Sequence, residues 1–403
     1  MTRHSAIAIA RPSIFLLGML TAIDAMSIDS YLPALPGIAR DFGTTPAQVQ
    51  ITFAVFLFGV AAGQAIWGPI SDRAGRRVPL LGGLVLYAVS SLAAASSTTL
   101  DMLTIARLGQ ALGASAGLVL ARAIISDLWE QDEASRLYSI MMQVLGVTAI
   151  VSPLVGGTLL AVSAWRSIFV VMVVLGGGTL AWVALRLPES LPPSARRAAD
   201  VAGAGYGRLL HAPAFLLATG CCALATSAMF ATLAGMPFLF VDTFGWSTTA
   251  FSVLYGTSSI AFIAVCEVNQ RLLGRFGDRR LLAFGLAMQV VLALGMAGLA
   301  AAGLATPGVF AVLWTLLMAN LGFTLGNATS LAMGLAPEGA SGTASGALGV
   351  TQFALSAAVA PLTVAGANVA LTLSATTALC ALLAAGMAFA ALRLRPGSAL
   401  RPR

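Results

Sequence analysis

QITFAVFLFGVAAGQAIWGPISDRAGRRVPLLGGLVLYAVSSLAAASS, residues 50–97, is two apolar blocks of about twenty residues around one polar hinge, SDRAGRR at 71–77. A hydrocarbon core of about 30 Å needs roughly 20 apolar residues per helical crossing. Backbone in lipid must satisfy its own hydrogen bonds, which blocks of this length do as helices rather than short alternating strands. The stretch therefore reads as two membrane helices joined by a tight loop that carries three arginines on one side.

The pattern continues in both directions. Hydropathy places spans near 12–32, 50–70, 78–97, 100–126, 139–163 and 166–187, then near 213–236, 250–270, 280–303, 307–332, 343–366 and 369–392. Of 403 residues, 58% are hydrophobic and only 9% charged. Soluble domains carry about 25% charged residues, so a soluble globular protein is excluded and no room is left for a separate catalytic domain. The first run is longer than a signal peptide's core and contains Asp24 and Asp29, so it is expected to be retained.

All 22 basic residues are arginine, and without lysine neither a P-loop nor a Schiff base can form. ATP hydrolysis of that kind is excluded, and no cofactor is expected. With the N-terminus cytoplasmic, 18 arginines fall on the inner side, only Arg40 and Arg166 fall outside, and Arg107 and Arg122 lie within a span. That asymmetry predicts both termini inside and explains the net charge of +7 without nucleic acid. The four cysteines sit in apolar runs without metal or redox spacing and read as packing residues. Neither His4 nor His211 falls within a span.

The loop PESLPPSARRAADVAGAGYGRLLH, 188–211, divides the chain into halves 1–187 and 212–403. Its Pro, Gly, Ala and Arg content suits a flexible linker; its spaced glycines follow no strand, so they make no nucleotide loop. A weak repeat supports two halves: DRAGRR at 72–77 follows the second span and GRFGDR at 274–279 follows the eighth, matching at 73/275, 75/277 and 77/279. Repeats of this kind recur in secondary transporters, with the site between the halves.

Charges inside the hydrocarbon mark a pathway or relay by default, since each costs at least a few kcal/mol there. Asp24 and Asp29 share the first span but lie about 140° apart around a helix. Burial disfavours a carboxylate and a nearby arginine favours it, so a carboxyl between the two influences can exchange a proton. Asp29 is the expected proton carrier and Arg107 its conditional partner, with Asp24 a second candidate; a fixed buried Asp–Arg pair is the alternative. Glu267 and Arg271, four apart, read as an interfacial ion pair. Gly113-Ala-Ser115-Ala-Gly117 fits the pattern of a serine-hydrolase elbow but sits mid-span with no histidine base. With Gly109 it forms a four-residue ladder for close helix packing.

GPISDRAGRRVPLL, 68–81, resembles the cytoplasmic loop signature of the major facilitator superfamily, with Gly68, Asp72, Arg73, Gly75, Arg76 and Arg77 at the signature positions. The resemblance implies a gate in which Asp72 faces the start of the eleventh helix near Ser341–Ser345 and Arg76 pairs with Asp127. LTIARLGQALGASAGLVLARA, 103–123, resembles the fourth-helix motif through Arg107, Gln110 and Gly113, with Ala111 where glycine is usual. GVTAIVSPLVGG, 146–157, resembles the antiporter signature through Pro153, Gly156 and Gly157, with Ser152 at an expected glycine.

SIDSYLPALPGIARDFG (27–43), WRSIF (165–169) and GTAS (342–345) resemble the bicyclomycin and chloramphenicol resistance branch of the drug:proton antiporters. The resemblance implies an all-α, twelve-helix fold in two six-helix bundles and efflux of small, moderately apolar compounds from a bacterial inner membrane, driven by protons. It places the proton site at Asp29 and turns Tyr31 and Asn327 towards the cavity. The expected partners are a small molecule, protons and the bilayer; a monomer suffices. Two alternatives remain: a proton-coupled symporter importing a metabolite, and a membrane sensor or scaffold that transports nothing.

Overall fold

The computed structural model describes residues 12–191, 207, 209–337 and 341–394. Among them, twelve helical segments are long and apolar enough to cross a membrane. Most of the linker read at 188–211 lies outside the described residues.

Helix ends are set by local chemistry. The first helix, Ile14–Asp29, starts where Ser13 Oγ accepts the Leu16 N–H. It pauses in a 3₁₀ turn, Leu32–Ala34, and resumes at Leu35–Phe42 with Pro36 in its first turn, a position where the missing N–H costs nothing. The second span, Pro46–Ala74, opens with a capping box between Thr45 and Gln48. The third, fourth, fifth and sixth follow as Arg77–Ala95, Leu100–Leu128, Gln131–Val162 and Arg166–Arg186.

The seventh, Pro213–Pro237, continues as a π-helical turn, Phe238–Thr243. The eighth to tenth are Thr248–Phe276, Asp278–Ala301 and Pro307–Gly334. The eleventh, Ser341–Val359, ends in a 3₁₀ turn, Ala360–Val364, and the twelfth is Val369–Arg393. After the second and eighth spans the chain turns at Gly75 and Gly277, whose φ of 90° and 78° a side chain would resist.

The helix pairings repeat between the two sets of six. The second packs on the fourth as the eighth packs on the tenth, and the third packs on the sixth as the ninth packs on the twelfth. The second span against the eleventh and the fifth against the eighth join the bundles. Lipid tails are as apolar as leucine, so close fit rather than hydrophobic transfer holds such helices. Gly113 fits against the Tyr87 backbone and Gly117 against the Leu20 carbonyl. Ser115 between them is buried and donates to its own helix at Leu112, so the hydrolase-like pentapeptide is a packing ladder. Large apolar side chains such as Ile105, Val162 and Leu185 are the exposed ones, as lipid contact requires.

Candidate functional site

Arg107, in the middle of the fourth span, is fully buried. Its Nη1 donates to the Ser27 carbonyl at 3.1 Å and to Gln110 Oε1 at 2.6 Å. The guanidinium lies 4.2 Å from the Tyr31 ring centre and 4.0 Å from that of Phe56. Desolvated cation–π contacts of this kind contribute about 2 kcal/mol each, and here they take the place of a bonded carboxylate. Gln110 is itself held by Ser91 Oγ at 2.9 Å and Met172 Sδ at 3.2 Å. Nε and Nη2 of Arg107 have no hydrogen-bond partner, and neither does Oδ1 of buried Asp24. Asp24 lies within the electrostatic reach of both Arg107 and Arg122.

Asp29 closes the first helix and is 7% exposed. Its Oδ1 accepts a 2.7 Å hydrogen bond from the Tyr255 hydroxyl of the eighth span. The expected Asp29–Arg107 partnership is therefore not a direct bond in this conformation. The first helix ends as it reaches the other bundle, and its last carboxylate faces Tyr255 there. The sequence reading gave Tyr255 no role; a tyrosine in an apolar run has no local signal that a carboxylate lies opposite.

Tyr31 and Asn327 are both buried among other side chains in this conformation. Tyr31 is fully buried; its hydroxyl pairs with Thr52 Oγ1 at 2.6 Å and its ring covers Arg107. Asn327 is 3% exposed, and its amide donates to Asn269 Oδ1 and the Phe323 carbonyl, both at 2.8 Å. Each spends its polar atoms inside its own bundle.

At the arginine-rich end the loop after the second span is a network within the first bundle. Arg76 donates to Asp72 at 2.7 Å, to Asp127 Oδ2 at 2.8 Å and to Ser71 Oγ at 2.8 Å. Burial opposes its charge, but Asp127 and Asp72 more than offset this and hold its pKa above the ordinary arginine value. Glu189 accepts the backbone N–H groups of Arg76 and Arg77 at 2.7 and 3.2 Å, capping the third span with a negative charge. Arg77 reaches the Ala184 carbonyl at 2.7 Å. Arg73 sits in the last turn of the second span, and Gly68 has open space beside its Cα. Asp72, half exposed, turns back to Arg76 instead of out to the start of the eleventh helix. Glu189 was missed because it falls among linker prolines.

Gly156 and Gly157 of the fifth span, beyond Pro153 in the same helix, face two ways. A side chain at Gly156 would strike the Ser30 carbonyl of the first bundle, and one at Gly157 would strike Ser252 of the second. Both bundles thus approach this one helix closely.

Among the described residues, polar links cross between the bundles at the centre and at the arginine-poor end. Besides Asp29–Tyr255, Arg40 pairs with Asp242 at 2.6 Å. The Gln50 amide donates to the Ala234 carbonyl at 2.9 Å and to Thr363 Oγ1 at 3.2 Å. Nearby, Asp41 Oδ2 accepts from Trp165 Nε1 at 3.0 Å and Arg166 Nη1 at 2.8 Å, which gives the WRSIF segment a role in fixing the extended first span. Glu267 and Arg271 form an exposed pair at 3.0 Å. Among the described residues no group of His, Cys, Asp and Glu could hold a metal ion.

Comparison with known proteins agrees with this architecture. The MFS-type transporter YdgK of Bacillus subtilis is 37% identical over 267 residues, which cover 65% of each chain. A chloramphenicol resistance protein of Pseudomonas aeruginosa is 32% identical over 281 residues, 68% of this chain and 65% of that one. The matched stretches thus span just under two thirds of these relatives. A crystal structure of a D-xylose–proton symporter superposes with a TM-score of 0.74 over 92% of this chain and 96% of that chain; at 16% identity this shows the shared twelve-helix fold alone. The family model described as Major Facilitator Superfamily matches residues 15–361, and the chain, a multi-pass membrane protein with transporters for relatives, belongs to that superfamily.

Proposed function

We propose that the protein is a drug:proton antiporter of a bacterial inner membrane, acting as a monomer with both termini cytoplasmic and exporting small, moderately hydrophobic antibiotics or toxic compounds. The observation that carries the reading is Asp29, a buried carboxyl between the two bundles whose partner is a neutral hydroxyl of the other bundle and not an arginine. A carboxyl so placed can gain and lose a proton as the bundles move. The name of the Pseudomonas aeruginosa relative supports an antibiotic as cargo.

In the proposed cycle the halves 1–187 and 212–403 rock about the fifth span at Pro153, Gly156 and Gly157, joined by the linker 188–211. Arg40–Asp242 and the Gln50 clamp tie the arginine-poor, outer side shut in the conformation described. When that side opens and the other closes, Asp72 leaves Arg76 for the start of the eleventh helix, while Arg76 stays anchored on Asp127. Arg107, with Nε and Nη2 uncommitted, takes up Asp29 or Asp24 at another step. Tyr31 acts on the cargo only through Arg107, and Asn327 only if its bond to Asn269 opens. One proton crossing about 150 mV releases roughly 3.5 kcal/mol. That sustains a gradient of a neutral compound of a few hundred-fold, at about 1.4 kcal/mol per tenfold.

The test uses purified protein in liposomes with an internal pH dye, challenged in turn with amphenicols, bicyclomycin and lipophilic cations. Proton movement opposite to the compound is expected, and Asp29→Asn should abolish it. Co-directional movement would make the protein a symporter, and uphill proton-driven export by Asp29→Asn would remove Asp29 as carrier.

A further inference from the structure

An antiporter must forbid one step. If the empty, proton-free carrier could reopen to the outside, each turn would admit a proton with nothing exported. Closure alone does not prevent this; something must hold the bundles together in that charge state and release them in the others.

Asp29 and Tyr255 meet this requirement by position. Asp29 is the last residue of the first helix and Tyr255 stands on the eighth span, so their 2.7 Å bond crosses between bundles. Both are buried, at 7% and 4% exposed. The Gln50 clamp and the Arg40–Asp242 pair lie towards the end that has to open, so opening there also parts Asp29 from Tyr255. The bond's strength follows the proton. With Asp29 ionised, the phenol donates to a full negative charge, an interaction about twice as strong as its neutral counterpart. With Asp29 protonated, the contact is an ordinary bond between neutral groups.

We propose that the Tyr255 hydroxyl is the lock that holds the empty, proton-free carrier closed to the outside, making proton entry conditional on export; the inference rests on the antiport reading above. A compound that presents an N–H or O–H donor, or a cationic group, to Asp29 replaces the hydroxyl and frees the bundles to part. After export, a proton from outer water adds to an Asp29 carboxylate oxygen and later leaves from that oxygen to cytoplasmic water, with no other bond changed. Of the other charged or titratable groups nearby, Asp24 on the same helix acts on Asp29, Arg107 of the fourth span acts on Asp24, and Tyr31 has its hydroxyl committed to Thr52. None of these three reaches the carboxylate from the second bundle, so Tyr255 is the group that ties its charge to the bundles' separation.

Tyr255→Phe removes the hydroxyl while its ring keeps its place between Phe251 and Trp314, at centroid distances of 6.4 and 6.0 Å. In sealed liposomes without added compound, proton entry through Tyr255→Phe is expected to rise about tenfold over the unaltered protein, the ratio that one hydrogen bond to a charged group commands. Compound exported per proton should fall. Tyr255→Phe combined with Asp29→Asn should return to background, because the leak passes through Asp29. An unchanged leak with unchanged compound per proton in Tyr255→Phe would overturn the lock, as would a leak that survives in the double variant. Compound-driven proton movement by the unaltered protein in the same vesicles separates these results from failure of the antiport reading, which would show as no such movement at all.

Discussion

The loops at 72–77 and 274–279 repeat one another in sequence and in backbone, and differ in what their side chains touch. Gly75 and Gly277 turn the chain with nearly equal dihedrals, φ 90° and ψ 174° against φ 78° and ψ 158°. In the first loop Arg76 is buried among Asp72, Asp127 and Ser71, and Glu189 caps the helix that follows. In the second, Arg275, Arg279 and Arg280 are exposed. There Asp278 accepts the Arg279 N–H at 2.8 Å and a hydroxyl bond from Ser330 at 3.2 Å. The tenth span offers a serine near its end where the fourth offers Asp127. The same turn is thus a buried ionic latch in one half and a solvated anchor in the other, so the difference comes from partners outside the loop.

The largest effect should come from cutting the latch. Arg76→Ala leaves Asp127 and Asp72 without their shared cation, and breaking a buried pair of this kind costs about 3 kcal/mol. Export is expected to fall at least about tenfold with substrate affinity retained, while Arg279→Ala stays within about twofold. Initial export rates beside equilibrium binding check both, and equal losses in the two variants would abolish the contrast. Glu189→Ala should act less strongly, since it removes a cap worth about 1 kcal/mol but leaves Arg76 on its two carboxylates. A lower thermal midpoint with export reduced only a few-fold is the expected result. A loss as deep as that of Arg76→Ala would make Glu189 part of the latch itself.

Most of the fold was legible because apolar runs of membrane length state their own secondary structure. The eighth span read at 250–270 is the core of Thr248–Phe276, and every other span read overlaps one helix. The first span was cut short at 32, since Arg40 and Asp41 lower the hydropathy while the prolines that bend and restart the helix leave no apolar trace. The site was less legible. Arg76 and Asp127 came into view through a family resemblance, and Asp29 and Arg107 through the cost of charge in lipid. Tyr255 is 226 positions from Asp29, and Asp242 is 202 from Arg40, so no local pattern announces either pair. Tyr31 and Asn327 were turned towards the cavity by the family resemblance alone, since hydropathy does not say which face of a helix turns inward.

The smallest effect tests the solvated side of the comparison. Glu267 lies just above the second loop and pairs with Arg271 one turn on, with 54% and 75% of the side chains exposed. An exposed helical pair of this spacing contributes about 0.3–0.5 kcal/mol, and salt screens it further. Glu267→Gln should therefore shift the thermal midpoint by no more than a degree or two in a chain of this size. Export rate and compound per proton should both stay as they were. The second number is the sharper check. A carboxylate that carried a proton would lower it on substitution even if stability did not change, and Asp29 would then share the coupling with a group in the other bundle. An unchanged ratio leaves the second loop as the anchor its exposed arginines describe, with titrating chemistry confined to the first helix.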